Sequence, residues 1–307
     1  MILPHQFMEK IKAVHKEKGE EWLRNFNSLI QYCEKRWSMR VMAPYQLSFN
    51  FAAPAILNDG TKVVLKLVVP SDEQFLHEVE ALKLFNGNGI ARLIDYELDM
   101  GIMILECITP GEKLATIQND EQATSIICKV IEQLWIPVHA HCKLPTTSDK
   151  ELEFRNNCNK YSDGIGPFSK QMLLETGALF RHLNSTIKQQ YILHGDLHHY
   201  NILSSGKDAW IAIDPHGMVG EREYDVIQMF WTKLPSENLS EVIERRINIL
   251  VNELKLNEER VLLWGICHST YNLSSYIQKY GETIKDIFEV ITIFKNLHKL
   301  RYGSVQF

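Results

Sequence analysis

The chain is poor in features that mark secreted, membrane or nucleic-acid-binding proteins. Its six cysteines (33, 107, 128, 142, 158 and 267) include no C-x-x-C pair. A disulfide framework and a cysteine-type zinc site are therefore not expected, and a reducing cytosol is the simplest home, so the expected location is cytoplasmic. No apolar run approaches the length of a membrane span and no signal-like apolar stretch opens the chain, so no membrane role is expected. Basic residues are not in excess: 33 Lys and Arg stand against 38 Asp and Glu, a net charge of −5. Nucleic-acid binding needs a basic face, so no nucleic-acid partner is expected. The acidic balance suits a cationic small molecule instead. There is no internal repeat and no low-complexity tract. What is present is 307 residues, 45% of them hydrophobic, enough for one large core or two modest ones.

The most informative stretch is His194-Gly195-Asp196-Leu197-His198-His199-Tyr200-Asn201-Ile202-Leu203, followed by Trp210-Ile211-Ala212-Ile213-Asp214-Pro215. Two chemistries fit its first part. One is phosphoryl transfer, because H-x-D-L-x-x-x-N is the spacing of a kinase catalytic loop, with Gly195 where protein kinases carry Arg. In that pattern the Asp accepts the proton of the attacking hydroxyl and the Asn holds magnesium. A second metal-binding Asp should then follow a nearby strand, and Ile211-Ala212-Ile213-Asp214 is an apolar, β-branched run ending in a carboxylate. The other chemistry is a zinc site built from His194, Asp196, His198 and His199. A zinc site needs neither Asn201 nor Asp214 at that spacing; a magnesium–ATP site needs both.

Upstream, residues 4–37 read as helix, with Trp22, Phe26, Leu29, Ile30, Cys33 and Trp37 on one packing face and Gly19 as a break. Residues 45–69 read as a hairpin: Leu47 to Phe51 alternates, Asn58-Asp59-Gly60 turns, and Thr61 to Val69 is β-branched. Lys66 interrupts that run. Such a lysine ordinarily faces outward; ahead of the downstream loop it is a candidate for gripping the α- and β-phosphates of a nucleotide. No G-x-G-x-x-G precedes it. Ser48-Phe49-Asn50-Phe51-Ala52-Ala53 stands there instead, so phosphate contacts would come from backbone N–H groups and from Ser48 or Asn50. Ser71 with Gln74 is a capping box opening a helix whose buried face carries Phe75, Val79 and Leu82. Glu78 and Glu80 lie on different faces of it, and one helix carboxylate is needed to fix the strand lysine.

Ile90 to Leu98 and Ile102 to Cys107 read as strands leading to the hinge Thr109-Pro110-Gly111. Backbone groups at Glu106 to Ile108 would meet an adenine edge, although an ordinary strand end reads equally well. Beyond 119 the pattern is helical, with a wide apolar stripe from Ala123 to Val138. Residues 141–167 read as a long polar connection and 168–190 as helix, with Met172, Leu179, Leu183 and Ile187 inward. Met218 to Glu221 reads as a loop and Tyr224 to Trp231 as a helix. Asp225 is read there as an N-terminal-turn residue. Segments 239–256, 258–278 and 284–300 are amphipathic helices.

With these residues in place, the chain resembles the aminoglycoside phosphotransferase superfamily, and within it the streptomycin 6-phosphotransferase and hydroxyurea phosphotransferase group. The matching text includes Ser48 to Pro54, Asp59-Gly60-Thr61, Val64-Leu65-Lys66-Leu67, Glu78 to Phe85, Ile104-Leu105-Glu106 with Pro110-Gly111, and Leu134-Trp135. The strongest blocks are His194 to Leu203 and Ala212 to Glu221 with Tyr224-Asp225. The resemblance spans about residues 20 to 230. It implies an α+β fold of the protein-kinase-like, two-lobed kind: an antiparallel β-sheet N-lobe with its helix (1–108) and a mainly helical C-lobe (109–307). It also implies ATP and magnesium as cofactors and a small-molecule hydroxyl as acceptor, an aminoglycoside such as streptomycin, whose positive charge Glu221, Glu223 and Asp225 are candidates to meet; the alternatives are a kinase of another small hydroxyl metabolite on the same fold and a catalytically silent nucleotide-binding protein. Carried over by position, Asp196 is the catalytic base and Asn201 and Asp214 are metal ligands. Lys66 binds phosphate, Glu78 is its partner with Glu80 as fallback, and His194 supports the loop backbone. The nucleotide would further meet Ser48, Glu106 and Ile108. Two positions depart from the pattern: His216, where family members commonly have Lys, and Met229-Phe230-Trp231-Thr232, where more polar text is expected.

Overall fold

The computed structural model describes residues 1–70, 73–138, 142–206 and 209–303. The chain divides into two compact units, Met1–Gly111 and Glu112–Phe307. In the first, α1 (His5–Arg36) leads to β1 (Met39–Val41), the hairpin strands β2 (Phe51–Leu57) and β3 (Lys62–Leu67), helix α2 (Glu73–Phe85), and strands β4 (Leu93–Glu97) and β5 (Ile102–Glu106). The strands form one antiparallel five-stranded sheet in the order β1-β2-β3-β5-β4. Strand periodicity decides what each face carries. Val63, Leu65 and Leu67 of β3 pack with Phe51, Ala53 and Ala55 of β2 against Phe7, Ile11, Trp22, Phe26 and Ile30 of α1. Lys66 lies one residue out of that register and therefore emerges on the opposite face.

The expected break in α1 falls at Lys16 (φ 53°, ψ −130°), not at Gly19. Gly19 serves the packing instead. A Cβ there would lie 2.6 Å from the carbonyl oxygen of Ile11, so the glycine lets the two helical segments close on each other. The strand expected from Leu47 begins only at Phe51; residues 45–50 are bends and irregular backbone. The first strand of the edge, β1, carries no sequence signal because it has only three residues (Met39–Val41). The capping residue Ser71 lies outside the described residues.

The second unit holds α3 (Asp120–Leu134), β6 (Ile136–Pro137), α4 (Thr147–Cys158), a small hairpin of β7 (Gly164–Ile165) and β8 (Phe168–Ser169), and α5 (Lys170–Ser185). Strands β9 (Tyr191–Leu193), β10 (Ile202–Ser204), β11 (Trp210–Ala212) and β12 (Met218–Gly220) follow. Then come the single turn α6 (Arg222–Asp225) and helices α7 (Leu239–Leu254), α8 (Glu258–Tyr280) and α9 (Lys285–Tyr302). Helix α8 is the axis of this unit: Trp264, Cys267, His268 and Leu273 are all buried along it. Phe180 meets Trp264 edge-on at 5.4 Å, and Phe230 meets Phe294 at 5.2 Å.

Four expectations are corrected here. Residues 141–167 are not a plain connection: α4 occupies Thr147–Cys158, opened by a capping box in which Thr146 and Asp149 exchange hydrogen bonds. Met218–Gly220 is a strand, not a loop; it pairs with Tyr191–Leu193 (β9), a partner far away in sequence. The segment Tyr224 to Trp231 is one α-turn followed by a 3-10 turn over Ile227–Trp231. Met172 is only half-buried, and Leu173 takes the inward position. All six cysteines are free thiols. Among the described residues no helix is long and apolar enough to cross a membrane.

Candidate active site

In the first unit, β3 and α2 place two opposite charges in apolar surroundings. Lys66 Nζ lies 2.6 Å from Glu78 Oε1, with side chains only 7% and 6% exposed. Glu78 belongs to the buried face of α2, with Phe75, Val79 and Leu82. Glu80 lies on another face and meets Lys83 at 4.0 Å in the open. The geometry thus separates the two carboxylates that the spacing left open. A buried pair costs desolvation on both sides and is strongly destabilised when one partner is removed. Ser48 is exposed in the irregular segment before β2. Glu106 ends β5; its N–H donates to the Arg92 carbonyl at 2.9 Å, and its carboxylate accepts the Arg92 N–H at 3.2 Å. Ile108 follows, half-buried, two residues beyond the strand.

In the second unit, the segment between β9 and β10 carries Asp196 and Asn201. Asn201 Nδ2 donates to the Asp196 carbonyl at 3.0 Å and to Asp196 Oδ2 at 3.1 Å. The two β strands that follow, β10 and β11, are paired Ile202↔Ala212, and Ile213 N–H donates to the Asn201 carbonyl at 2.9 Å. This pairing brings Asp214, in the left-handed region at φ 56°, to the end of the hairpin. Burial pushes the Asp196 carboxyl up to about 7; the Asp214 carboxylate adds to the rise, the Asn201 amide opposes it, and Asp225 adds a smaller push. This occurs although 22% of the Asp196 side chain remains exposed. A carboxylate whose proton affinity is raised by a second carboxylate marks excess negative charge, which a cation relieves.

The histidines of the loop differ in what they face: His198 Nε2 lies 3.7 Å from Asp196 Oδ2, and His194 and His199 bond elsewhere. His194 is fully buried; its Nδ1 accepts the Asp196 N–H at 3.2 Å and its Nε2 donates to the Ile213 carbonyl at 3.0 Å. It is a strut between the Asp196 backbone and the strand before Asp214. Burial drives its pKa down to about 3, so it is neutral. His198 Nδ1 accepts the Tyr200 N–H at 3.2 Å. His199 Nδ1 bonds Thr232 Oγ1 at 2.7 Å. The zinc alternative therefore has no convergent ligand set; among the described residues no group of three or more His, Cys, Asp or Glu side chains could hold a metal ion. The donors that remain, the Asn201 amide and the Asp214 carboxylate, are hard oxygen ligands of the kind magnesium takes.

The expected acceptor carboxylates all have partners inside the protein. Glu221 accepts from Arg260 Nε at 2.6 Å and Trp264 Nε1 at 2.7 Å. Glu223 accepts the Asn257 N–H at 3.0 Å at the start of α8. Asp225, only 1% exposed, accepts the Gly195 N–H at 2.7 Å and the His194 N–H and Trp135 indole N–H at 3.1 Å each. It clamps the loop backbone and is no simple helix-turn residue. Its signal in the sequence is only the Tyr224-Asp225 pair of the resemblance; the contacts span 30 and 31 residues to the loop and 90 to Trp135, and leave no periodic trace. Of the departures, His216 lies with Nε2 3.6 Å from Asp196 Oδ2. Trp231 donates to Ser269 Oγ at 2.9 Å and meets the His268 ring edge-on at 5.1 Å.

Comparison with known proteins identifies the family and the fold. The family described as aminoglycoside/hydroxyurea antibiotic resistance kinase matches residues 48–276. The chain is 22% identical over 290 residues to a streptomycin 6-kinase of Streptomyces griseus, covering 88% of this chain and 89% of that one. Among solved structures, a choline kinase of Streptococcus pneumoniae superposes with TM-score 0.62 at 13% identity, over 87% of this chain and 98% of that one. An amicoumacin kinase, solved in complex with AMP-PNP, Ca2+ and Ami, superposes with TM-score 0.58 at 12% identity, over 96% of this chain and 97% of that one. These likenesses fix the kinase-like α+β fold, with an antiparallel sheet in the first unit and helices in the second. The chain belongs to the aminoglycoside/hydroxyurea antibiotic resistance kinase family, and it is a phosphotransferase with an alcohol group as acceptor.

Proposed function

We propose that the protein is an ATP- and magnesium-dependent phosphotransferase acting on a hydroxyl of a small cationic molecule, an aminoglycoside such as streptomycin. The observation that carries this reading is the Asp196 carboxylate, tethered by Asn201 and crowded by Asp214. Asn201 spends its amide N–H on Asp196, and among the described residues its Oδ1 accepts no hydrogen bond; with Asp214 it offers oxygen ligands to a divalent cation. Bound magnesium would draw charge off the phosphoryl oxygens during transfer. The chain's own residues do the rest. Lys66, held by Glu78, binds the α- and β-phosphates. Ser48 and the backbone at Glu106 and Ile108 meet the remainder of the nucleotide. Asp196 takes the proton of the acceptor hydroxyl as its oxygen bonds to the γ-phosphorus. The bond to the bridging oxygen breaks, and its electron pair leaves with ADP. Alignment and charge stabilisation supply most of the acceleration, and base catalysis about 10²–10⁴-fold.

The choice of streptomycin rests on the Streptomyces relative and on the net charge of −5, which suits a polycation. A second reading, another small hydroxyl compound of lower charge, is favoured by one observation: Glu221, Glu223 and Asp225 are all engaged within the protein. The test is ADP release with magnesium–ATP across a panel of aminoglycosides and small alcohols, beside Asp196→Asn. Acceptor-dependent ADP release that the variant loses supports the reading. Near-wild-type turnover in Asp196→Asn removes Asp196 as the base. Turnover confined to uncharged alcohols selects the second reading.

A further inference from the structure

His216 stands beside the Asp196 carboxylate, with Nε2 3.6 Å from Oδ2. Its placement is built from the backbone. The N–H groups of His216 and Gly217 both donate to the His194 carbonyl, at 2.8 and 3.1 Å. The same peptide stretch is held from the other side by Asp225. Gly195 sits beneath, at φ +79°, and a Cβ on it would lie 3.3 Å from both His216 Cβ and the Met218 side chain. The glycine that replaces the kinase Arg thus leaves the room that His216 uses. From there its imidazole reaches Asp196 with 51% of its side chain still open to solvent.

Three nitrogen groups gather on one oxygen of Asp196. Asn201 Nδ2 is 3.1 Å from Oδ2, His216 Nε2 is 3.6 Å and His198 Nε2 is 3.7 Å. The Tyr200 N–H occupies Nδ1 of His198, which leaves the ring proton of that histidine on Nε2, the nitrogen nearer Asp196. Among the described residues, no hydrogen bond reaches Oδ1 of Asp196. Catalytic hydrogen bonds in unliganded enzymes are often this long and tighten once substrate binds.

We propose that His216 is a positioning residue for phosphoryl transfer: with His198 and Asn201 it pins Oδ2 of Asp196, so that Oδ1 is the oxygen that takes the proton of the acceptor hydroxyl. The inference rests on the reading of Asp196 as the base. The acceptor O–H bond breaks to Oδ1 as its oxygen bonds to the γ-phosphorus, and ADP leaves with the electron pair of the broken P–O bond. A carboxylate fixed at one oxygen cannot rotate its proton-accepting lone pairs away from the acceptor, and the gain falls on turnover more than on binding.

The test uses the full chain with two readouts. In steady-state assays with magnesium–ATP and streptomycin, His216→Ala should lower kcat roughly 10–100-fold while both KM values stay within about threefold, and His216→Gln, which keeps an N–H near the same place, should recover most of the loss. Unchanged kcat in His216→Ala, a change confined to KM, or no recovery in His216→Gln overturns the inference. The second readout needs no acceptor. Two-bond 1H–15N spectra should show the protons of His198 and His216 on Nε2, and the His216 ring signals should move in Asp196→Asn. A proton on Nδ1 of either ring, or unmoved signals, overturns it. If streptomycin is not phosphorylated but the spectra are as expected, the choice of acceptor fails and the inference stands. Wild-type turnover in Asp196→Asn removes the base assignment and the inference with it.

Discussion

The carboxylate of Asp225 holds the backbone N–H of Gly195 at 2.7 Å, fixing the peptide next to Asp196. Removing it strands three donors, the N–H groups of His194 and Gly195 and the indole of Trp135. Each buried unsatisfied group costs about 1–3 kcal/mol, against about 5–15 kcal/mol of total stability. Asp225→Ala should therefore be poorly folded. Asp225→Asn, which keeps one acceptor oxygen and turns an amide N–H₂ toward the donors, should fold with a lowered urea midpoint and reduced kcat. An unchanged midpoint in Asp225→Asn contradicts the clamp.

The Lys66–Glu78 pair gives a prediction with an internal control. Lys66→Met leaves Glu78 buried without its cation and should cost about 3–5 kcal/mol in urea unfolding. The double variant Lys66→Met with Glu78→Leu should recover most of that stability, since apolar residues of similar volume replace a buried pair at little cost. It should not recover activity, because the phosphate-binding cation is gone. Recovery of turnover in the double variant would remove Lys66 from the nucleotide site.

The local parts of this site are legible in the chain and the non-local parts are not. Asp196 and Asn201 sit five residues apart on one loop, and Lys66 and Asp214 each interrupt or end a β-branched run, so spacing alone exposes them. Glu78 separates from Glu80 only through three-dimensional burial on α2. Helix α4 hides because its apolar residues are sparse, although the Thr146–Asp149 box is readable in the chain. Strand β12 exists only through its partner Tyr191–Leu193, and so reads as loop by itself. Asp225 and His216 owe their roles to contacts with residues about twenty to thirty positions earlier, which no local pattern encodes.

The buried histidines predict acid lability. His268 is 3% exposed and stacks on Tyr224 at 4.0 Å, and burial drives its pKa down to about 3. The folded value lies below the unfolded one near 6.5, so the unfolded chain binds a proton that the native state refuses. The stability is present above pH ~6.5 and is lost as pH falls toward the folded value, at most about 2 kcal/mol between pH 6.5 and 5 from this group. His194 and His199, each lowered to about 3, act in the same direction. Asp196 and Asp225, raised to about 7 and about 6, oppose it: their stabilising effect is present at low pH and is lost as pH rises through those values. Urea midpoints at pH 5 and 7.5 check this. His268→Gln should lose less stability on acidification than the wild type; parallel slopes would contradict it.

The most direct measurement is mass spectrometry of streptomycin after incubation with magnesium, ATP and the protein, with Asp196→Asn run in parallel. The account predicts a streptomycin product about 80 mass units heavier, the mass of one transferred phosphoryl group, formed by the wild type and not by the variant. The same product formed at equal rate by Asp196→Asn, or ATP left intact with every hydroxyl compound of the panel, would contradict it.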